Sequence, residues 1–157
     1  MKEKLRFEDL EYDSHSFSDD KFFKGDYENC HFDGCQLVGA DLSHSSFIDC
    51  TFINSDLSNV ILNNTAFRSV AFTDCRLLGL SFENINDFLL KLVFKNCTMN
   101  LSSFYDKDMK GASFENCNLS EVDFAHADLS KVSLCDSNLS QAVFDNTNLS
   151  EADLRGS

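Results

Sequence analysis

Large apolar residues recur at every fifth position along almost the whole chain. From Phe7 to Phe82, 16 consecutive five-residue steps carry Phe, Leu or Tyr, and a second series of 14 steps runs from Leu89 to Leu154 with Phe, Leu or Met. Two positions before most of these residues stands a small side chain, as at Cys30. Each unit is therefore small-x-large-x-x, with mostly polar residues in the other three positions.

A period of five matches neither an α-helix nor an ordinary strand. On a helix, five residues advance by about 500°, so the large residues would form no stripe. In an extended segment, residues two apart share a face, which suits the small and the large residue of each unit. A chain that repeats a short extended step and a turn closes into a solenoid with side chains stacked inside. The pattern predicts an all-β fold, right-handed by the usual chirality preference.

Several units resemble the A(D/N)Lxx repeats of the pentapeptide-repeat proteins. The units with this resemblance are residues 40–44, 127–131, 137–141 and 152–156. The resemblance covers about residues 25–155 and implies a right-handed quadrilateral β-helix with four units per coil. The large residue of each unit and the residue two before it would point inward. At a strand spacing of about 4.8 Å, 30 units make a rod roughly 36 Å long.

The repeat divides the chain into four segments within one domain. Residues 1–24 are predicted to be an N-terminal cap or irregular first coil, residues 25–82 and 89–157 are repeat segments, and residues 83–88 form a loop. Between Phe82 and Leu89 the period lengthens by two residues, so we expect this loop to bulge outward at a corner.

Four polar residues stand where the repeat calls for a small inward side chain. His15 and Asp20 make the first coil irregular, and Asp87 and Lys107 lie near the middle of the rod. An unpaired inward lysine would be too costly. We therefore expect the backbone to deviate around residues 105–108.

The large residues predict an aromatic core in columns. With twenty residues per coil, rings twenty residues apart stack on one another, and each buried ring contributes about 1.5–3 kcal/mol. The predicted core columns are Phe32, Phe52 and Phe72 on one face and Phe104, Phe124 and Phe144 on one face of the second half.

Composition describes an acidic folded protein. The 157 residues include 26 Asp and Glu against 13 Lys and Arg, for a net charge of −13, and 43% are hydrophobic, which is too many for a disordered acidic tail. This charge opposes direct binding to nucleic acid or to anionic membranes and favours a basic protein partner. No apolar run approaches the roughly 18 residues of a membrane span, and the N-terminus lacks the apolar core of a signal peptide. The sequence predicts a cytoplasmic protein.

The residues that most often carry chemistry do not form a recognisable site. Six of the seven cysteines occupy the small inward position, which favours buried reduced thiols over a zinc site, and the spacing typical of zinc ligands is absent. The four histidines fit no catalytic motif and are interpreted as surface residues. A narrow solenoid filled by its own side chains offers no cleft. We expect no catalytic residue, no metal and no cofactor, and no enzymatic activity.

The carboxylates are the one feature of the sequence that indicates a function. A net charge of −13 over roughly 36 Å is about 60% of the charge that B-DNA carries over the same length. The candidate partner-binding residues are those of the loop, Glu83, Asn84, Ile85, Asn86, Asp87 and Phe88, and a row of carboxylates on one face, Asp106, Asp123 and Asp145.

Resemblance to the quinolone-resistance type of pentapeptide protein implies a function for this charge. The rod would be a DNA mimic that occupies the DNA-binding surface of DNA gyrase or of another DNA-binding protein, with the loop as a protruding contact. The resemblance also implies a homodimer through the C-terminal ends. The alternative is a general interaction scaffold or spacer without DNA mimicry, since any solvated repeat surface must be polar.

Overall fold

The computed structural model describes residues 3–18 and 21–157. In these residues the secondary structure consists of short parallel strands, turns and isolated bridges, without a helix. The strands are β1 (Leu5–Glu8), β2 (Glu11–Tyr12), β3 (Gly25–Glu28), β4 (His31–Asp33), β5 (Ser46–Ile48), β6 (Thr51–Ile53), β7 (Ala66–Arg68), β8 (Val70–Thr73), β9 (Leu92–Lys95) and β10 (Ser113–Glu115). One sheet has the order β1-β3-β5-β7, and the other has the order β2-β4-β6-β8-β9-β10.

Strand register shows how five-residue units build the coil. Phe32 pairs with Tyr12 on one side and with Phe52 on the other, twenty residues away each time, which is four units per coil. Isolated parallel bridges continue the same ladder toward the C-terminus, from Ser113 to Ser133 and from Ser133 to Asp153. The predicted fold class, a right-handed quadrilateral β-helix, is confirmed.

Corners of the coil explain why the units end in polar residues. The residue two after the central large residue has a positive φ in unit after unit, for example 57° at Asn59 and 54° at Asp74. Asn, Asp and Gly tolerate this left-handed region better than other residues do. A carboxylate one position before the central residue closes the turn, as where Asp41 Oδ1 accepts a hydrogen bond from the Ser43 amide at 3.0 Å.

Aromatic rings stack along the axis of the coil. The Phe52 ring lies 4.4 Å from Phe32 and 4.9 Å from Phe72 between centroids, and Phe104 lies 5.4 Å from Phe124. These five rings are at most 2% exposed. Phe144 stacks at 5.5 Å on Phe124 and is half-buried, because fewer residues cover it at this end of the rod.

The two extra residues lie later than the sequence suggested. Asn86 still pairs with Ala66 at a separation of twenty, whereas Leu92 pairs with Val70 at a separation of 22. Leu89 has a φ of 55° and is 66% exposed, which is the turn position two after a central residue. The prediction that the insertion lies within 83–88 and that Leu89 starts an inward series was therefore wrong. The extra residues enlarge the next corner, where the Lys91 amide and carbonyl bond to Phe67 and Val70.

The first coil is paired with the second wherever it is described. Strands β1 and β2 pair in register with β3 and β4, and Phe17 is buried. His15 is exposed within a turn and does not point inward. The expectation for Asp20 lies outside the described residues, and the division into a cap and repeat segments stays a prediction.

Residues 3–18 and 21–157 contain no helix with the length and apolar character needed to cross a membrane. The cytoplasmic location stays a prediction.

Candidate interaction surfaces

One wall of the rod carries the predicted row of carboxylates. This wall, the acidic face, follows the column of Phe82, Phe104, Phe124 and the half-buried Phe144. Backbone hydrogen bonds join successive coils on this face, for example from the Asp106 amide to the Ala125 carbonyl at 3.0 Å and from the His126 amide to the Asp145 carbonyl at 2.8 Å. The structure therefore brings Asp106, Asp123 and Asp145 onto one face on successive coils, as the sequence predicted. Asp106 and Asp145 are exposed, and Asp123 is half-buried.

Local hydrogen bonds lower the number of free carboxylates on the acidic face. Asp123 Oδ1 accepts a hydrogen bond from the Ala125 amide at 2.8 Å, and Glu83 Oε1 accepts one from Ser103 Oγ at 2.7 Å. Hydrogen bonding from Lys24 lowers the pKa of Asp41, on the same face, to about 2. Asp106 and Asp145 are therefore the carboxylates of this face that are most available to a partner.

The residues of the predicted loop do not form one site. Glu83 and Asn84 lie at the corner occupied one coil later by Tyr105 and Asp106, because Ser81 pairs with Ser103. Ile85 is 6% exposed and belongs to the core, so its side chain is not available to a partner. Asn86 belongs to the next wall, where it pairs with Ala66. The role of this set in binding stays a prediction, and its members are divided between two corners and the interior.

Asp87 and Lys107 form an ion pair that the sequence did not predict. Lys107 Nζ donates to both carboxylate oxygens of Asp87, at 3.1 and 3.2 Å. The lysine side chain is 9% exposed and that of Asp87 is 60% exposed. The backbone is regular here: Asp106 has the usual corner φ of 56°, and Asp108 pairs with Asp128. The expected deviation around 105–108 was wrong, because the inward lysine has a partner twenty residues earlier.

Phe88 lies at a different corner from Asp106. Its ring is 64% exposed and packs beneath Arg68, whose guanidinium carbon is 5.1 Å from the ring centroid. Arg68 Nε also donates to the Phe88 carbonyl at 3.3 Å. A partner that contacts Asp106 and Asp145 would therefore not meet Phe88 on the same surface.

Most cysteines are packed inside the coil as thiols. Six are buried and Cys135 is half-buried. The Cys50 Sγ lies 3.3 Å from the Ile48 carbonyl, to which the thiol donates. Burial raises the pKa of Cys35 to about 11 and that of Cys50 to about 12. The described residues contain no group of three or more His, Cys, Asp or Glu side chains placed to hold a metal ion.

We expect a thiol reagent to label one cysteine of the folded protein. At pH 8, Ellman's reagent should react rapidly with Cys135, because the other thiols are buried and their protons are held by backbone carbonyls. Cys135→Ser should remove this fast phase, and denaturation should expose all seven thiols of the wild type. Fast labelling that survives Cys135→Ser would contradict the structure.

Comparisons with known proteins agree with the coil geometry. A family model described as a pentapeptide repeat region matches residues 25–104, and a model of eight pentapeptide repeats matches residues 103–134 and 123–157. A comparison with curated protein sequences finds no significant match.

The chain is also similar to solved structures of proteins with different described roles. Full-length QnrB1, a plasmid-mediated fluoroquinolone resistance protein, is 19% identical, with 97% of this chain and 85% of that chain covered and a TM-score of 0.40. A pentapeptide repeat protein from the Arabidopsis thaliana thylakoid lumen is 19% identical, with coverage of 80% and 58% and a TM-score of 0.39. HetL, from the cyanobacterium Nostoc and involved in heterocyst differentiation regulation, is 16% identical, with coverage of 83% and 64% and a TM-score of 0.31.

Proposed function

We propose that this chain, which belongs to the pentapeptide-repeat family, is a non-enzymatic interaction protein that mimics DNA on the DNA-binding surface of a type II topoisomerase such as gyrase. The observation that supports the proposal is charge on a narrow rod. A net charge of −13 is distributed over a solenoid whose interior is filled by its own side chains, so the charge lies on the outer walls.

The acidic face is the part of the rod that we assign to this contact. Asp106 and Asp145 are exposed two coils apart, at a separation of about 10 Å along the axis. Lysine and arginine side chains that track a phosphate backbone have the reach to follow carboxylates at such intervals. Binding would release counterions from both surfaces, as DNA binding does.

A supercoiling assay with purified gyrase tests this proposal. The wild-type protein should inhibit supercoiling, or protect gyrase from a quinolone, at micromolar concentration. The double variant Asp106→Asn with Asp145→Asn should be about three- to tenfold weaker, since each exposed charge contributes up to about 1 kcal/mol. The matched control, Asp74→Asn with Asp136→Asn, removes the same charge from another edge and should change the effect less than twofold. Absence of any effect of the wild-type protein would reject gyrase as the partner.

Self-association through the C-terminal ends belongs to the same proposal. The central residues Leu139, Phe144 and Leu149 are only partly buried there, and Leu154 is 43% exposed. Two rods joined at these ends would double the length of the acidic face. Leu154→Glu should then lower the mass of the particle without changing the fold.

The second candidate is a general interaction scaffold. It is favoured by the apolar residues exposed away from the acidic face, such as Phe88 and Leu89. Salt distinguishes the two functions: a contact through carboxylates weakens steeply between low and physiological salt, whereas an apolar contact does not.

A further inference from the structure

The six-stranded sheet presents a wall whose middle is uncharged. We call each coil of the solenoid a level and count the levels from the N-terminus. One outward residue per level lies on the midline of this wall, in the order Glu11, His31, Thr51, Ala71, Val93 and Ser113. From Thr51 to Ser113 this midline carries no charge, although the protein has 39 charged residues, 26 acidic and 13 basic. Ile53 and Val93 on this wall are each 38% exposed, and a shallow apolar hollow lies between Thr51, Ala71 and Val93.

The corner that leads into this wall has charges sorted by sign along the rod. We call this corner the graded edge. Its first three levels are acidic, its next four are basic, and its eighth carries Glu151. In order, the residues are Glu8, Glu28 and Asp49, then Arg68, Lys91, Lys110 and Lys131. Glu8 lies 3.6 Å from Arg6, and no other member forms an ion pair with a residue of 3–18 or 21–157.

The acidic end of the graded edge can face the basic end of a second graded edge that runs in the opposite direction. The edge is therefore complementary in charge to an antiparallel copy of itself. Two copies that face each other through this wall, antiparallel about a two-fold axis, bring the graded edge of one against the graded edge of the other. With the axis between the Thr51 and Ala71 levels, the third level meets the fourth, the second meets the fifth, and the first meets the sixth. The opposed pairs are then Asp49 with Arg68, Glu28 with Lys91, and Glu8 with Lys110, each occurring twice.

The same alignment suits the rest of the wall. On the midline, Thr51 lies over Ala71 of the second copy, so small uncharged side chains meet at the axis. On the far margin, Asp33 lies opposite Lys95, and Asp13 opposite Glu115 is the one pair of like charges. We propose that the six-stranded face binds a second copy of this chain, antiparallel and side by side.

A second copy fits the graded edge better than other partners do. A uniformly acidic peptide or a nucleic acid would attract Lys91 and Lys110 but would be repelled by Glu28 and Asp49 on the same edge. Mutual repulsion of two chains of charge −13 is limited, because charges on the far walls lie beyond the Debye length of about 8 Å at physiological salt. Six strands give the contact a length of about 24 Å.

Charge reversal within the wild-type full chain tests this contact. Sedimentation equilibrium should show reversible self-association for the wild type and a monomer–dimer equilibrium for Leu154→Glu, which lacks the contact between C-terminal ends. Lys91→Glu and Glu28→Lys should each raise the dissociation constant at least tenfold, because each places like charges opposite one another twice, at roughly 0.7 kcal/mol per site. The double variant, Lys91→Glu with Glu28→Lys, should dimerise as the wild type does. Both side chains are exposed, so neither reversal disturbs the core.

Lys131→Glu is the matched control. It makes the same charge change on the same edge, but at the seventh level, which extends beyond the end of the second copy. This substitution should therefore leave dimerisation unchanged. Ala71→Glu should abolish the dimer at the axis while the circular dichroism spectrum stays that of the wild type.

Small-angle scattering decides between arrangements. The side-by-side dimer should be only slightly longer than the monomer, whereas a dimer through the C-terminal ends would be about twice as long. A monomer at all concentrations, an end-to-end dimer alone, or a double variant that fails to recover dimerisation would overturn this proposal. None of these results bears on the gyrase assay, which uses Asp106 and Asp145 on another wall.

Discussion

Replacing Phe52 with alanine is expected to lower the free energy of unfolding by about 4 kcal/mol, a large part of the stability of a domain of this size. The Phe52 ring is fully buried and lies between Phe32 and Phe72, with centroid distances of 4.4 and 4.9 Å. It also meets Phe47 edge-on at 5.5 Å. Alanine would lose these contacts and leave a cavity that the neighbouring coils are too closely hydrogen-bonded to fill.

Urea denaturation followed by circular dichroism measures this loss, and Phe88→Ala is the matched control. Phe88 is 64% exposed and its main contact is the stacked Arg68 guanidinium, so its replacement should cost less than about 1 kcal/mol. If Phe52→Ala and Phe88→Ala were equally destabilised, the Phe52 ring would not lie in the core.

Replacing Asp87 with alanine is expected to lower the free energy of unfolding by about 3 kcal/mol, the lower end of the range for breaking a buried ion pair. The change leaves the Lys107 ammonium, on a side chain 9% exposed, without the carboxylate that it contacts at 3.1 Å. The lower end applies because the Asp87 side chain is 60% exposed, so water partly replaces it.

The double variant Asp87→Ala with Lys107→Met separates the charge from the packing. Methionine occupies a similar volume without the ammonium, so the double variant should recover most of the stability that Asp87→Ala loses. Thermal and urea unfolding of the wild type, the single variants and the double variant complete the cycle. A double variant as unstable as Asp87→Ala would show that the carboxylate acts through its own backbone and not through Lys107.

Charged residues at the middle of the rod show where sequence reasoning reached its limit. The residue type of Lys107 was enough to mark an unusual level, because a lysine in an inward position needs a partner. Its partner was hidden, since finding Asp87 requires knowing which residues lie one coil apart. Lys107 and Asp87 are twenty residues apart in sequence, whereas β8 and β9 on the neighbouring wall pair residues that are 22 apart.

The position of the insertion was ambiguous for a related reason. Phe88, Leu89 and Leu90 are all large and apolar, so each fits the inward position of a five-residue unit. Pattern alone favoured Leu89, which restores the period. The backbone instead uses Asp87 as the central residue and Leu89 as the turn. Asn86 stays in the original register because it pairs with Ala66 and its amide donates to the Thr65 carbonyl at 2.9 Å.

The sequence by itself determined the coil, its period, its aromatic columns, its buried thiols and the sign of its surface charge. These follow from the small and large residues of each unit, whose burial allows only one way to close the turns. Only the tertiary structure decided which residues from different coils meet: the Asp87 and Lys107 pair, the enlarged corner at Lys91, and the order of charges along the graded edge. The physical reason is that contacts between coils depend on the register, which two added residues change from a separation of twenty to one of 22 for the pairs that span them, while later pairs return to twenty.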